Sequence, residues 1–254
     1  MKYLKIYKGK KVLITGNTGF KGTWLSLWLD MLGAKVVGIS KLPHTKPSNF
    51  LEHKLDKKFK TFFFDIKDKK KVEVTVKRIN PDFIFHLAAQ SLVLKSYEKP
   101  LDTWHTNLIG TLNILNSLKK IKKICSVVLI TSDKCYKNLE TKRAYKESDR
   151  LGGDDPYSAS KASAELLINS YVKSFYNKKK NIRISSVRAG NVVGGGDWSN
   201  YRLFPDCIKS IFKKKKIILR NPKSTRPWQH VLEPLNGYLK LGSHLYVSNK
   251  FHGH

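Results

Sequence analysis

From residue 11 onward, short runs of consecutive apolar residues alternate with longer stretches in which apolar positions recur every three or four residues. The short runs predict buried strands at 11–15 (KVLIT), 35–39 (KVVGI), 61–64 (TFFF), 82–88 (DFIFHLA), 126–131 (SVVLIT) and 181–188 (NIRISSVR). The longer stretches predict helices over 22–33, closing at Gly33 as a C-cap, and over 68–79, 100–121 and 157–175. Strands without polar alternation are buried on both faces, and strand–helix alternation predicts right-handed crossovers. The fold class is therefore α/β, a Rossmann-type doubly wound parallel sheet. Past Arg188 the texture turns Gly-rich and Pro-punctuated, as in GNVVGGGDW and NPKSTRPW, with short amphipathic pieces between. This places a domain boundary there: 1–188 as the Rossmann domain and 189–254 as a partial, smaller region.

Composition sharpens the picture only in places. A chain of 254 residues, 41% hydrophobic, is long enough for a sizeable core. The formal net charge of +30 would attract nucleic acid, anionic lipid or small phosphorylated ligands. Yet the lysines are spread along the chain, with runs only at 69–71, 178–180 and 213–216, and are not interleaved with stacking aromatics. Solvated faces are the expectation, with no nucleic acid and no membrane partner. A charged N-terminus without an apolar stretch, and no apolar run of about 18 residues, point to a soluble cytoplasmic protein. Cys125, Cys135 and Cys207 are odd in number and lack CxxC spacing, so three reduced thiols are expected and no zinc site. His252 and His254 are expected to be a tail and not metal ligands.

Candidate chemistry begins with TGNTGFKG, which sets Gly16, Gly19 and Gly22 between the first strand and the first helix. Glycine there lets the backbone approach a pyrophosphate, and the helix N-terminus offers N–H groups and partial positive charge. A nucleoside triphosphatase loop is excluded because Lys21 precedes Gly22 instead of following it. At the end of the second strand, where an acidic residue would grip ribose hydroxyls, stand Ser40 and Lys41, which suit a 2′-phosphate at least as well. Asp65 can meet an adenine amino group or cap the next helix. In YSASK, Tyr157 and Lys161 project from one helical face, and a nearby ammonium is expected to lower the tyrosine's pKa. Such a pair can take a proton from a sugar hydroxyl while hydride leaves the same carbon for nicotinamide. Thr131, Ser132, Asp133 and Lys134 follow the fifth strand, at the carboxyl edge where ligands of open α/β sheets bind.

With these motifs in place, the segments ITSDKCY, DPYSASKASAEL, VRAGNVVGGGDW, RLFPDCI and RNPKSTRPWQHVLEPL resemble the CDP-glucose 4,6-dehydratases, a family of extended short-chain dehydrogenase/reductases, from about residue 10 onward. The resemblance implies a lyase using bound NAD, NADP remaining open, on CDP-glucose or another nucleotide sugar in deoxysugar synthesis for surface polysaccharide (lipopolysaccharide). It assigns Gly16, Thr18, Gly19, Phe20 and Gly22 to the pyrophosphate, Asp65 and Ile66 to adenine, and Leu87, Ala88 and Ala89 to the adenosine ribose, with Tyr157 and Lys161 also meeting the cofactor. Asn191, Arg202, Arg220 and Arg226 match positions that meet the sugar nucleotide, where arginine offers a forked partner to diphosphate.

The expected reaction removes hydride from sugar carbon 4, eliminates water across carbons 5 and 6, and returns hydride to carbon 6. Tyr157 is the base at the 4-hydroxyl, Ser132 its hydrogen-bond partner, Asp133 the acid, and Lys134 the group that takes the carbon 5 proton or fixes a water that does. An epimerase or reductase with the same site, and a non-catalytic dinucleotide-binding module, are the alternatives. Members of the family continue past the point where this sequence ends at NKFHGH, so a fragment or a truncated gene is expected. The helices at 100–121 and 157–175 resemble a pair that forms a four-helix dimer contact in related enzymes, implying a homodimer.

Overall fold

The computed structural model describes residues 2–141 and 143–253. After an N-terminal 3-10 turn at Lys2–Tyr7, strands β1 (Lys11–Thr15) and β2 (Lys35–Ser40) flank helix α1 (Phe20–Met31). Short helices α2 (Asn49–Glu52) and α3 (Leu55–Lys58) lead to β3 (Lys60–Phe63), α4 (Lys69–Ile79) and β4 (Phe83–His86). Next come α5 (Val93–Glu98), α6 (Pro100–Trp104), α7 (Gly110–Ser117), β5 (Cys125–Ile130), α8 (Pro156–Tyr171) and β6 (Ile182–Val187). The chain closes with β7 (Val192–Val193), α9 (Leu203–Phe212), β8 (Gln229–His230) and α10 (Leu232–Val247). Strands β1 to β6 form one sheet in the order β3-β2-β1-β4-β5-β6, every pairing parallel. That order reverses between β1 and β4, so the carboxyl ends of β1, β4 and β5 open onto one crevice.

The period-2 alternation of strand side chains divides the core. Val12, Ile14, Phe83, Phe85 and Val128 face α1, α10 and the N-terminal turn. Leu13, Ile84, Val127 and Leu129 face the other way, against Val72 and Val76 of α4, Leu115 of α7 and Ile168 of α8. The doubly wound sheet and all six strands expected from the hydrophobic pattern are present, with no end more than two residues from its expected place.

Several expectations need correction. Helix α1 begins at Phe20, and its C-cap is Leu32; Gly33 follows at φ +76°, the left-handed conformation that glycine tolerates just past a helix end. Neither long helix is uninterrupted: a π-helical turn at His105–Ile109 joins α6 to α7, and another at Val172–Tyr176 ends α8. The expected boundary, Arg188, falls directly after β6. Beyond it lie two substantial helices, and α10 lays Leu235, Tyr238, Leu239 and Leu245 into the sheet's first face. Its backbone comes close enough that Ser126 Oγ donates to Gly242 O at 2.8 Å and Tyr7 OH to Leu239 O at 2.6 Å. A Cβ on Gly242 would stand 2.7 Å from the Tyr7 hydroxyl. The sequence hides this helix because Pro234 reads as a breaker, whereas in the first turn its missing N–H costs no intrahelical bond.

Candidate active site

The β1–α1 turn is built so tightly that only glycine fits two of its positions. Gly16 adopts φ +75°, and a Cβ there would lie 2.9 Å from the Ala88 backbone; at Gly22 it would lie 2.1 Å from Gly16 O. Gly19 caps α1 without any side-chain hydrogen bond, so the helix presents an uncapped N-terminus at the sheet's carboxyl edge. A cradle without side chains, ending in an uncapped helix, fits a dinucleotide pyrophosphate. Phe20 follows the cap, and Leu87 and Ala88 close the floor, donating their backbone N–H groups to Thr15 O at 3.1 Å and Thr15 Oγ1 at 3.2 Å; Ala89 comes next.

Around the second strand, Thr18 Oγ1 shares a 2.6 Å hydrogen bond with Ser40 Oγ and donates to Lys41 O at 3.0 Å. Asp65 receives Lys41 and Lys67, each at 3.4 Å. It does not cap the next helix: Asp68 does, accepting from Lys71 N at 3.0 Å. Asp65 instead closes a two-residue turn, its Oδ1 accepting from Lys67 N at 3.0 Å. Ile66 is buried beneath Gly110, where a Cβ would meet it at 2.4 Å.

Past β5 the chain turns through one 3-10 turn at Asp133–Cys135, capped by Ser132, whose Oγ donates to Asp133 Oδ1 at 3.0 Å and accepts from Lys134 N at 3.2 Å. Helix α8 is started by Asp155, which accepts from Ser158 N at 2.9 Å, with Pro156 in the first turn. That start aims Tyr157 at Ser132, and burial raises the tyrosine's pKa, offset in part by the Ser132 hydrogen bond and Arg202. The expected lowering is therefore absent: desolvation of the phenolate outweighs the favourable contacts. Lys161 is buried, donates to Ile130 O at 3.2 Å, and is held down to about 8 by burial, with Glu165 opposing.

Three further residues around this pair carry no sequence signal of the kind that marked Tyr157 and Lys161. Glu165, one turn beyond Lys161, takes the Thr131 hydroxyl, Ser186 Oγ at 3.0 Å and a forked guanidinium from Arg188 at 3.2 and 3.1 Å. Asn107, in the first π-helical turn, donates to Ser160 Oγ at 2.9 Å, and Ser160 Oγ donates to Tyr157 O at 2.7 Å. Lys21 reaches in from the glycine turn and donates to Tyr238 OH of α10 at 3.3 Å. Glu165 and Asn107 are recognisable only by tertiary contact, whereas Lys21 stands inside the motif.

The four sugar-nucleotide candidates do not converge. Arg202 points at the crevice, bonded to Asp197 Oδ2 at 2.9 Å and Ser91 Oγ at 3.1 Å, close enough to influence Tyr157 and Lys21. Arg220 and Arg226 lie exposed, spending hydrogen bonds on Tyr201 O at 3.0 Å and Thr225 O at 2.7 Å. Asn191 enters β7, its carbonyl accepting from Gln229 N at 3.1 Å. Among the described residues no cluster of His, Cys, Asp and Glu could hold a metal. His252 Nδ1 accepts from Ile184 N at 3.0 Å, and His254 lies outside the described residues.

Comparison with known proteins identifies the family. Residues 13–244 match the family described as GDP-mannose 4,6 dehydratase. The chain belongs to the GDP-mannose 4,6 dehydratase family. Within it, the chain is 46% identical over 245 residues to CDP-glucose 4,6-dehydratase of Salmonella typhimurium, covering 95% of this chain and 68% of that protein. Among solved structures, epimerase Mth375 of Methanothermobacter thermautotrophicus superposes with a TM-score of 0.84 at 24% identity, covering 100% of this chain and 72% of that one. DesIV, a dTDP-glucose 4,6-dehydratase from Streptomyces venezuelae solved with NAD and TYD bound, gives 0.79 at 22%, covering 96% and 73%. At those identities the two structures establish the shared fold of the family.

Proposed function

We propose that the protein converts CDP-glucose to CDP-4-keto-6-deoxyglucose with bound NAD, as a sugar-nucleotide 4,6-dehydratase. The observation that carries this reading is the convergence of Ser132, Tyr157 and Lys161 beside Asp133 and Lys134, at the carboxyl edge of β5 and across from the glycine cradle. Gly16, Thr18, Gly19, Phe20 and Gly22 would hold the pyrophosphate, Asp65 and Ile66 the adenine, and Leu87, Ala88 and Ala89 the adenosine ribose. NAD is favoured over NADP because Ser40 is engaged by Thr18 and Lys41 is drawn toward Asp65, which a 2′-phosphate would have to displace. When bound, the cofactor supplies a reversible hydride acceptor.

The chain's own residues do the rest. Tyr157 takes the proton of the sugar 4-hydroxyl while Ser132 hydrogen-bonds that oxygen. Lys161 orients the pair, and Glu165 anchors Thr131 at the end of β5. Lys134 takes the carbon 5 proton or fixes the water that does, and Asp133 protonates the hydroxyl leaving carbon 6. Adjacent acid and base groups favour elimination over the epimerase alternative, which has no use for them. Arg202 is the favoured diphosphate partner; Asn191, Arg220 and Arg226 would join it only from the rim.

No helix among the described residues is long and apolar enough to cross a membrane. A cytoplasmic place in deoxysugar supply for surface polysaccharide follows from the substrate class. A homodimer is supported by the exposed apolar side chains of Tyr97, Leu101, Ile109 and Leu166 on α5, α6, the adjoining π-helical turn and α8. The test is turnover of CDP-glucose against UDP-, dTDP- and GDP-glucose with NAD. Preference for the cytidine substrate, with water lost, is expected; a 4-epimer as sole product would overturn the reading.

A further inference from the structure

Lys21 is the one charged side chain of the glycine turn, and the roles above leave it unused. Its ammonium is drawn out of solvent, donates to Tyr238 OH at 3.3 Å and lies 5.8 Å from the centre of that ring. Tyr238 is 1% exposed and anchored in the core between Leu235 and Leu239, so the ammonium is pinned on the α10 side of the crevice. The groups facing it are Arg202 from α9's leading residue, Lys161 from α8, Asp133 from the turn after β5, and Tyr238, which itself feels Tyr157. Burial and the two like charges, Arg202 and Lys161, pull Lys21 down to about 8, against the favourable Asp133. A cation held here despite that cost faces the same centre as Tyr157 and Lys161.

If Tyr157 deprotonates the hydroxyl of the carbon that gives up hydride, a nicotinamide ring receiving that hydride would lie beside Tyr157, on the side of the crevice that Lys21 faces. That ring is positively charged when oxidised and neutral when reduced. We propose that Lys21 is a positioning residue for the redox half of the reaction, whose charge destabilises the oxidised nicotinamide relative to the reduced one and so favours hydride removal from the sugar. Tyr238 holds the ammonium at the distance where it acts. This rests on the reading of the site as NAD-dependent.

In an effective dielectric of roughly 20, two unit charges separated by on the order of 10 Å interact strongly enough to change a binding ratio on the order of tenfold. The test is the ratio of NAD+ to NADH dissociation constants, measured by calorimetry without sugar, for the native protein, Lys21→Met and Lys21→Arg. A purely structural role would move both constants together, because the two dinucleotides share everything except the ring charge. Lys21→Met should shift the ratio about tenfold toward NAD+, and Lys21→Arg should retain the native ratio. Above pH 8 the native ratio should move toward that of Lys21→Met, while Lys21→Arg, still charged, should stay apart from it. Binding of both dinucleotides with an unchanged ratio in Lys21→Met overturns the proposal alone; binding of neither to the native protein overturns the cofactor reading with it.

Discussion

At Tyr157 two environments oppose each other: the buried pocket raises the phenol's pKa, while Ser132 and Arg202 favour the phenolate. Replacing it with phenylalanine keeps the packing and removes the proton acceptor, so Tyr157→Phe should bind NAD as the native protein does and turn over about 10²- to 10⁴-fold more slowly. Full turnover by that variant would mean another group is the base. His86 gives a prediction at acid pH. Its ring lies between Thr15 Oγ1 at 2.7 Å and Thr111 Oγ1 at 3.1 Å, and burial holds its pKa down to about 3. The unfolded imidazole takes up a proton below about 6.5 and the folded one does not until about 3, so stability falls as pH drops through that window, by up to about 1.4 kcal/mol per unit. Urea titrations at pH 7, 6 and 5 should show a shallower fall for His86→Gln; parallel curves would mean His86 does not carry the effect. Tyr157, Lys161 and the glycines were legible in the sequence because their chemistry depends on spacing within one turn. Glu165 and Asn107 were not, because an acid on a helix and an amide in a helical stretch acquire their roles only when β6, Arg188 and the tyrosine's own helix close around them.

Among the elements, α10 is the one whose position the sequence conceals and the fold requires. Leu239 is fully buried where α10 meets Tyr7 and the sheet, so Leu239→Ala should cost about 2–5 kcal/mol in chemical denaturation. A loss under 1 kcal/mol would mean that α10 is not part of the first core. The six strands were legible because each is a continuous apolar run buried on both faces, which no helical period imitates over so few residues. The π-helical turns were not, because one added residue per turn leaves the apolar spacing almost unchanged. Nor was the packing of α9 and α10 legible, since Gly and Pro punctuation carries no information on which face of the sheet a later helix will cover.

At the scale of the whole molecule, Tyr97 of α5, Leu101 of α6 and Leu166 of α8 are exposed apolar side chains that the proposed homodimer would cover. Leu101 is 73% and Leu166 60% exposed, an unfavourable display unless paired, so Leu101→Glu with Leu166→Glu should convert a dimer to a monomer in sedimentation while leaving the fold intact. A native protein that sediments as a monomer would remove the homodimer. A net charge of +30 would attract anionic ligands over long range and be screened by salt, whereas the proposed contacts of Arg202, Lys21 and the glycine turn are local.

In the proposed reaction one hydride leaves carbon 4 of the sugar and returns to carbon 6 of the same molecule, with Tyr157 handling the proton. The most direct measurement uses CDP-glucose carrying deuterium at carbon 4, incubated with the protein and NAD, with the product read by NMR. A 4-keto-6-deoxy sugar with deuterium at carbon 6 is the expected result. A product that keeps deuterium at carbon 4, or a 4-keto-6-deoxy sugar with none at carbon 6, would contradict it.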